Sequence, residues 1–258
     1  PHVGYWPEFE PPRSFNEHIV RRKLYTDNDE YAMLSDKYAV RAYVRDKIGE
    51  EVLNKLYYVT DDPKDIPFEK LPNSFVIKAT HGSGFNKIIN NKTEINHGEI
   101  RDLCRNWLSQ SYGKNTNEYW YKYIDPKIII EERLHDDEHD IPLDYKFHVF
   151  NGVAEYVQVD IDRFSNHSRR IYDINWEPAD FTLKYPQGPS VKKPEQIERM
   201  SSIAETLASG YDYLRVDLYQ PNGETVIFGE ITVAPGVGHE RFTPKEWDFQ
   251  LGESWNRR

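Results

Sequence analysis

Residues 213–219 read Tyr-Leu-Arg-Val-Asp-Leu-Tyr, and residues 227–238 read Ile-Phe-Gly-Glu-Ile-Thr-Val-Ala-Pro-Gly-Val-Gly. Between them Gln220-Pro221-Asn222-Gly223 is a strong turn signal, so the two apolar runs are expected to form a hairpin. Strand side chains alternate between faces. Arg215 and Asp217 therefore share one face, and on the return strand Glu230 and Thr232 share one. Pairing Arg215 with Glu230 puts Asp217 opposite Phe228. Asp217 and Glu230 are then diagonal neighbours, about 7–8 Å apart at Cβ. Two carboxylates so placed can hold a divalent ion, and magnesium favours one or two carboxylates plus substrate phosphates. Acids on a strand are ordinarily a solvated face. Here both sit inside apolar runs, and the loop at 234–238, with Gly236, brings backbone amides beside them.

Working outward, the 258 residues suffice for a large core and one or two domains. Charged residues at 29% and hydrophobic residues at 38% fit a soluble globular chain. No apolar run reaches membrane-spanning length and no signal peptide is evident, so no integral membrane segment is expected. A net charge of -10 argues against nucleic acid as a partner. Cys104 is the sole cysteine, which fits a reducing cytoplasm. Aromatics at 14% suit sugar or nucleotide stacking, and equally a packed core.

Toward the N-terminus, residues 1–12 read as an irregular arm packed on the body. Ser35 is expected to cap a helix that stops near Gly49, with Lys37 and Arg41 on a solvated face. Residues 56–60 form a short strand. Residues 74–89 form a strand carrying Lys78, a loop at Gly82-Ser83-Gly84 and a returning strand. The loop is neither a Walker A nor a Rossmann turn, and alone it is most often a hairpin turn. A lysine inside an apolar strand needs an anion or an internal ion pair, because a buried unpaired ammonium is costly.

Asn96-His97-Gly98-Glu99 resembles a capping box. It opens a helix with Ile100, Leu103, Cys104, Trp107 and Leu108 inward. The aromatic cluster at 119–123 reads as core. Residues 127–134 form a buried strand ending in Glu131 and Glu132, and His135 and His139 lie in an acidic, solvated loop.

Residues 143–150 alternate so that Asp144, Lys146 and His148 share a face. Asn151-Gly152 turns the chain, and residues 154–161 return. Residues 162–170 are the one locally basic loop, carrying Arg163, His167, Arg169 and Arg170. Arginine holds carboxylates and phosphates with two parallel hydrogen bonds, so this loop is the expected contact for an anionic substrate; the alternative is a loop that balances nearby acids. Arg241 is the next substrate-contact candidate. Residues 194–207 form a helix with Ile197, Met200, Ile203, Ala204 and Leu207 inward.

Taken in order, these pieces resemble the ATP-grasp superfamily, and more closely its TupA-like branch, associated with teichuronopeptide and bacterial surface-polysaccharide synthesis. The motifs are Lys-Ala-Thr-His-Gly-Ser-Gly (78–84), Asp-Tyr-Lys-Phe-His-Val-Phe-Asn-Gly (144–152), Val-Asp-Ile-Asp-Arg-Phe (159–164), Phe-Gly-Glu-Ile-Thr (228–232) and Phe-Thr-Pro-Lys-Glu-Trp-Asp (242–248). The resemblance implies an α+β ATP-grasp fold: two α+β lobes with the nucleotide between them, without a full N-terminal Rossmann-like domain. The expected division is an arm at 1–34, a small lobe with the glycine-rich loop at 35–130 and a large lobe at 131–258.

The resemblance also assigns roles. Lys78 and Lys146 would clamp ATP phosphates from opposite lobes, under a loop of His81, Gly82, Ser83 and Gly84. Glu131, Glu132, Arg133 and Leu134 would form the hinge under adenine, and Asp144 would hold ribose. Arg215, with Lys146, would act on the transferred phosphate. Asp217, Glu230 and Thr232 would bind two Mg2+ ions, with Thr232 standing where many relatives have Asn. The implied reaction joins a carboxylate to an amine through an acyl phosphate, with saccharide and amino-acid substrates. A homo-oligomer, partner or fused domain would complete the site. The alternatives are an ATP-grasp kinase and a non-catalytic nucleotide- or glycan-binding module.

Overall fold

The computed structural model describes residues 3–26, 29–139, 141–161, 166–223 and 225–257. The elements run α1 (Phe15–Tyr25), α2 (Asp29–Ser35), α3 (Val40–Lys47), β1 (Leu56–Thr60), β2 (Phe75–Ala79), β3 (Asn86–Ile89), α4 (His97–Leu108), β4 (Ile128–Glu131), β5 (Asp144–Phe150), β6 (Val153–Ile161), β7 (Ser168–Asp173), β8 (Thr182–Leu183), α5 (Ile197–Ala208), β9 (Tyr213–Tyr219), β10 (Ile227–Thr232), β11 (Phe242–Thr243) and α6 (Glu246–Asn256). They form two compact units, Asn28–His135 and Pro1–Asp27 with Asp136–Arg258. This differs from the expected division. The N-terminal segment joins the C-terminal unit instead of standing as an arm, and the units part at 135/136.

In the unit Asn28–His135 an antiparallel sheet runs β1-β4-β2-β3. Its buried face packs Phe75, Ile77, Ile128 and Ile130 on Ile100, Cys104 and Trp107 of α4. The Asn96 side chain accepts from the Gly98 and Glu99 amides, capping α4. Ser35 does not cap a helix. It ends α2 and accepts the indole N–H of buried Trp120 at 3.1 Å. The next residue, Asp36, accepts from the Tyr38 and Ala39 amides in the turn that leads into α3. Within the aromatic cluster Trp120 is core, whereas Tyr119 and Tyr123 are exposed.

In the other unit the sheet order is β10-β9-β5-β6-β7. Asn151 and Gly152 take φ of 49° and 81°, the left-handed pair that a tight hairpin requires. Helix α5 buries its expected residues Ile197, Met200, Ile203, Ala204 and Leu207, and it packs on β9, β5 and β6. Helix α1 covers the opposite face at one end. Phe15 lies 5.1 Å from the Tyr213 ring and 5.7 Å from Trp255 of α6. The sequence carries the start signal for α1, since Ser14 and Glu17 form a reciprocal capping box. Gly252 lets α6 meet that start: a Cβ there would stand 2.1 Å from the Arg13 carbonyl oxygen.

The β9–β10 register departs from the straight pairing. A bulge between Phe228 and Glu230 brings Glu230 opposite Asp217 and Thr232 opposite Arg215. Gly229 permits it, because a Cβ there would lie 2.7 Å from the Tyr219 ring and 3.0 Å from the Asp217 carbonyl oxygen. The two acids are therefore direct cross-strand partners, not diagonal ones.

Candidate active site

Cross-strand register lays the polar residues of one sheet face in rows. The first is Glu230, Asp217, Lys146 and Gln158; the second is Thr232, Arg215 and His148; the third is Asp144, Asp160 and Arg169. Alternation within each strand puts all of them on the same side. The chain therefore sets four carboxylates (Glu230, Asp217, Asp144, Asp160) against three cations (Arg215, Lys146, Arg169) on a largely buried surface.

Asp217 is the hub and is 1% exposed. Arg215 clasps it with two hydrogen bonds, Nε to Oδ1 and Nη2 to Oδ2, both 2.7 Å. Lys146 Nζ donates to Asp217 Oδ2 at 2.7 Å and to Asp144 Oδ2. Burial alone would push the Asp217 carboxyl up. The guanidinium and the ammonium overcome it and hold the pKa at about 2. Arg215 Nη2 also donates to Thr232 Oγ1 at 2.9 Å and stands 3.6 Å from Glu230 Oε1. Glu230 lies at the rim, its side chain 44% exposed.

Beneath Arg215, His148 is fully enclosed. Its Nδ1 lies 2.9 Å from the Tyr213 hydroxyl and its Nε2 3.4 Å from Gln158 Oε1. Burial, reinforced by the nearby guanidinium of Arg215, lowers its pKa to about 3. An unfolded histidine titrates near 6.5. Below that pH the unfolded chain binds a proton that the fold refuses, so stability falls as pH drops from 6.5 toward 3. Between pH 7 and pH 5 the loss at this residue is about 2 kcal/mol. Urea unfolding at the two pH values should show that difference shrink by this amount in His148→Gln; an unchanged difference would mean that His148 is not held neutral.

The four basic substrate candidates do not stay together. Arg163 lies outside the described residues. Arg169 and Arg170 belong to strand β7, not to a loop, so alternation sends them to opposite faces. Arg169 Nε donates to Asp160 at 2.7 Å, Nη1 donates to the Leu183 carbonyl oxygen, and the guanidinium lies over Tyr185. Glu240 approaches it at 3.6 Å. Arg170 Nη1 donates to the Gly188 carbonyl oxygen at 3.5 Å. His167 stacks on Tyr185 with ring centroids 3.7 Å apart and stays partly exposed. Arg241 is exposed. Gly236 holds φ of 56° in the 3-10 turn after β10, where a side chain would run into Glu240. Gln158, Asp160, Tyr185 and Glu240 join the site beyond the sequence candidates; period-two alternation in 153–161 already places Gln158 and Asp160 on the site face.

In the unit Asn28–His135, Lys78 makes an internal ion pair. Its Nζ donates to Glu131 Oε2 at 2.7 Å, and Arg41 donates to Oε1 at 2.8 Å. Arg41, read from sequence as solvated, is instead anchored to Glu131 and to the Asn54 carbonyl oxygen. Lys37 likewise donates to the Gly82 carbonyl oxygen at 2.6 Å. His81 is buried, its Nε2 3.1 Å from the Gln110 carbonyl oxygen, whereas Ser83 and Gly84 are exposed. The exposed pair is thus the part of the loop open to a ligand. Glu132 is exposed and accepts from the Tyr57 hydroxyl, while Arg133 and Leu134 are half-buried in the segment after β4.

Asp217, Glu230 and Thr232 fit a magnesium ion chemically. They offer two facing carboxylates and a hydroxyl, the oxygen set that Mg2+ takes when phosphates complete its shell. Among the described residues no group of three or more His, Cys, Asp or Glu side chains assembles for a metal. The sheet's opposite face borders a separate cavity of about 500 Å³, walled by Tyr145, Ile161, Val191 and Gln220. No helix among the described residues is long and apolar enough to cross a membrane.

Solved structures similar to the chain include three ligases. A D-alanine–D-alanine ligase from Bacillus anthracis complexed with ATP is 17% identical, with a TM-score of 0.45 over 79% of this chain and 55% of that one. The ATP-grasp ligase PsnB, complexed with a phosphomimetic variant of a minimal precursor, Mg and ADP, is 13% identical, with a TM-score of 0.48 over 93% and 65%. VanG D-Ala:D-Ser ligase from Enterococcus faecalis is 15% identical, with a TM-score of 0.49 over 87% and 60%. The chain thus spans between about half and two thirds of these proteins. No curated protein matches it at a significant level. The TupA-like ATPgrasp family model matches residues 17–256, which takes in both sheets and the whole polar face, and the chain therefore belongs to the TupA-like ATP-grasp family.

Proposed function

We propose that the protein is an ADP-forming carboxylate–amine ligase that joins an amino acid to a uronic-acid-containing bacterial surface saccharide or its precursor. The observation that carries this reading is the Arg215–Asp217–Lys146 cluster, facing Glu230 and Thr232, in a chain of the ATP-grasp family. In the proposed reaction a substrate carboxylate oxygen takes the γ-phosphoryl group of ATP and ADP leaves. An amine then attacks the acyl carbon and expels phosphate, giving an amide. Asp217, Glu230 and Thr232 would hold magnesium, which neutralises charge on the transferring phosphoryl group. Arg215 supplies a planar donor fork and Lys146 a point charge for the same oxygens. Asp144, bonded to Lys146, would orient that lysine and meet ribose. Of the basic candidates, exposed Arg241 remains open to saccharide, whereas Arg169 is committed to Asp160 and His167 Nε2 also lies 3.4 Å from that carboxylate.

The test is ADP release across a matrix of uronic acids and amino acids. A ligase releases ADP only when a carboxylate and an amine are both present and yields an amide by mass spectrometry. ADP release with a saccharide alone, giving a phosphorylated sugar, would replace the ligase reading with a kinase.

The proposed role of Lys78 is contact with ATP phosphates through ammonium donors beyond the one given to Glu131. Charge-assisted hydrogen bonds contribute about 1.5–3 kcal/mol. Lys78→Ala should therefore weaken ATP binding about ten- to a hundredfold by calorimetry. Unchanged affinity would leave Lys78 as a structural partner of Glu131.

A further inference from the structure

We infer that Arg215 is the resident cation of the carboxylate pair and must leave it for a divalent ion to enter, so that metal and nucleotide load together. This rests on the reading of Asp217, Glu230 and Thr232 as metal ligands. A single guanidinium reaches all three side chains. It makes two 2.7 Å bonds to Asp217, donates at 2.9 Å to Thr232 Oγ1 and comes within 3.6 Å of Glu230. Both Asp217 oxygens are engaged by Arg215, and Oδ2 also by Lys146.

Magnesium needs carboxylate oxygens at about 2.0–2.1 Å in near-octahedral array. It would share those oxygens with two largely buried cations, Arg215 and Lys146, where like charges repel. The ion and the guanidinium are therefore exclusive occupants. Once displaced, Arg215 needs another anion, since its fork is otherwise buried and unpaired. A triphosphate meets that need. Metal alone then binds against Arg215, whereas nucleotide takes up the arginine and opens the pair. Linkage makes the coupling reciprocal: each ligand tightens the other by the same factor.

The experiment is Mn2+ titration of the full chain, followed by electron paramagnetic resonance, with and without a non-hydrolysable ATP analogue. The native protein should bind Mn2+ weakly alone and about tenfold or more tightly with the analogue. Arg215→Gln should bind Mn2+ alone about tenfold more tightly than native, and the gain from the analogue should shrink. Arg215→Lys keeps the charge without the fork, so it should fall between the two; it serves as the readout if the Gln variant does not fold. Native-like or weaker Mn2+ binding in the folded variants overturns the exchange. Glu230→Gln separates the two readings. If it weakens Mn2+ binding while the Arg215 variants do not strengthen it, the ligands stand and the exchange falls. If it leaves Mn2+ binding unchanged, the ligand assignment itself has failed.

Discussion

Glu230→Gln and Asp217→Asn are both expected to lower turnover on the order of 10³-fold, because each removes a carboxylate from the proposed metal pair in a site that works by fixed charge. Their effects on stability should differ. Asp217 is buried and neutralises Arg215 and Lys146 together. An asparagine there leaves two enclosed cations short of a counterion, a loss of about 3–5 kcal/mol. Glu230 sits at the rim, with its side chain 44% exposed and its nearest cation 3.6 Å away. Its substitution should change stability by no more than about 1 kcal/mol, as for other exposed pairs. Glu230→Gln is therefore the cleaner probe. ADP release and urea unfolding of the same preparations decide it. A folded Glu230→Gln protein with near-native turnover would remove the carboxylate pair from the mechanism.

An equally large effect on the fold is expected at Lys146. This residue is 3% exposed, and its ammonium bridges Asp144 and Asp217, which are 3% and 1% exposed. Lys146→Met keeps the side-chain length and removes the charge. It leaves Asp144 without this bond and Asp217 held by Arg215. Removing one partner of a buried ion pair costs about 3–5 kcal/mol, because the carboxylate left behind can neither hydrate nor ionise cheaply. In a chain of this size that corresponds to a fall in Tm on the order of 10 °C. Asp217, with one of its two cations removed, should also be protonated more readily. The deficit of the variant against native should accordingly narrow as pH falls toward the carboxylate range. A loss below about 1 kcal/mol in urea unfolding at pH 7 would mean that water already reaches these carboxylates.

The sequence by itself determined which side chains share a face. Period-two alternation in 144–150 fixed Asp144, Lys146 and His148 on one side, and alternation in 213–219 did the same for Arg215 and Asp217, because each depends only on the backbone of its own strand. Asn151-Gly152 set the β5–β6 hairpin for an equally local reason: its φ values suit asparagine and glycine and few other residues. The family motifs, spread along the chain, pointed to the same fold that the family match bears out.

What faces what across the strands was decided by tertiary structure. The observed register is offset by two residues from the straight pairing, one of them supplied by the bulge at Gly229, so Glu230 partners Asp217 and not Arg215; such an offset cannot be read from either strand alone. Alternation likewise made Arg169 and Arg170 diverge once 168–173 proved to be a strand, a matter settled by pairing with β6. Lys78 called for an anion on desolvation grounds, but the choice of Glu131, 53 residues away, depended on β2 and β4 lying side by side. The Ser14–Glu17 cap marks where α1 starts. That α1 then lies against α6, with its backbone touching Gly252, follows from two distant segments burying Phe15 and Trp255 together, and such long-range burial has no local sequence signature.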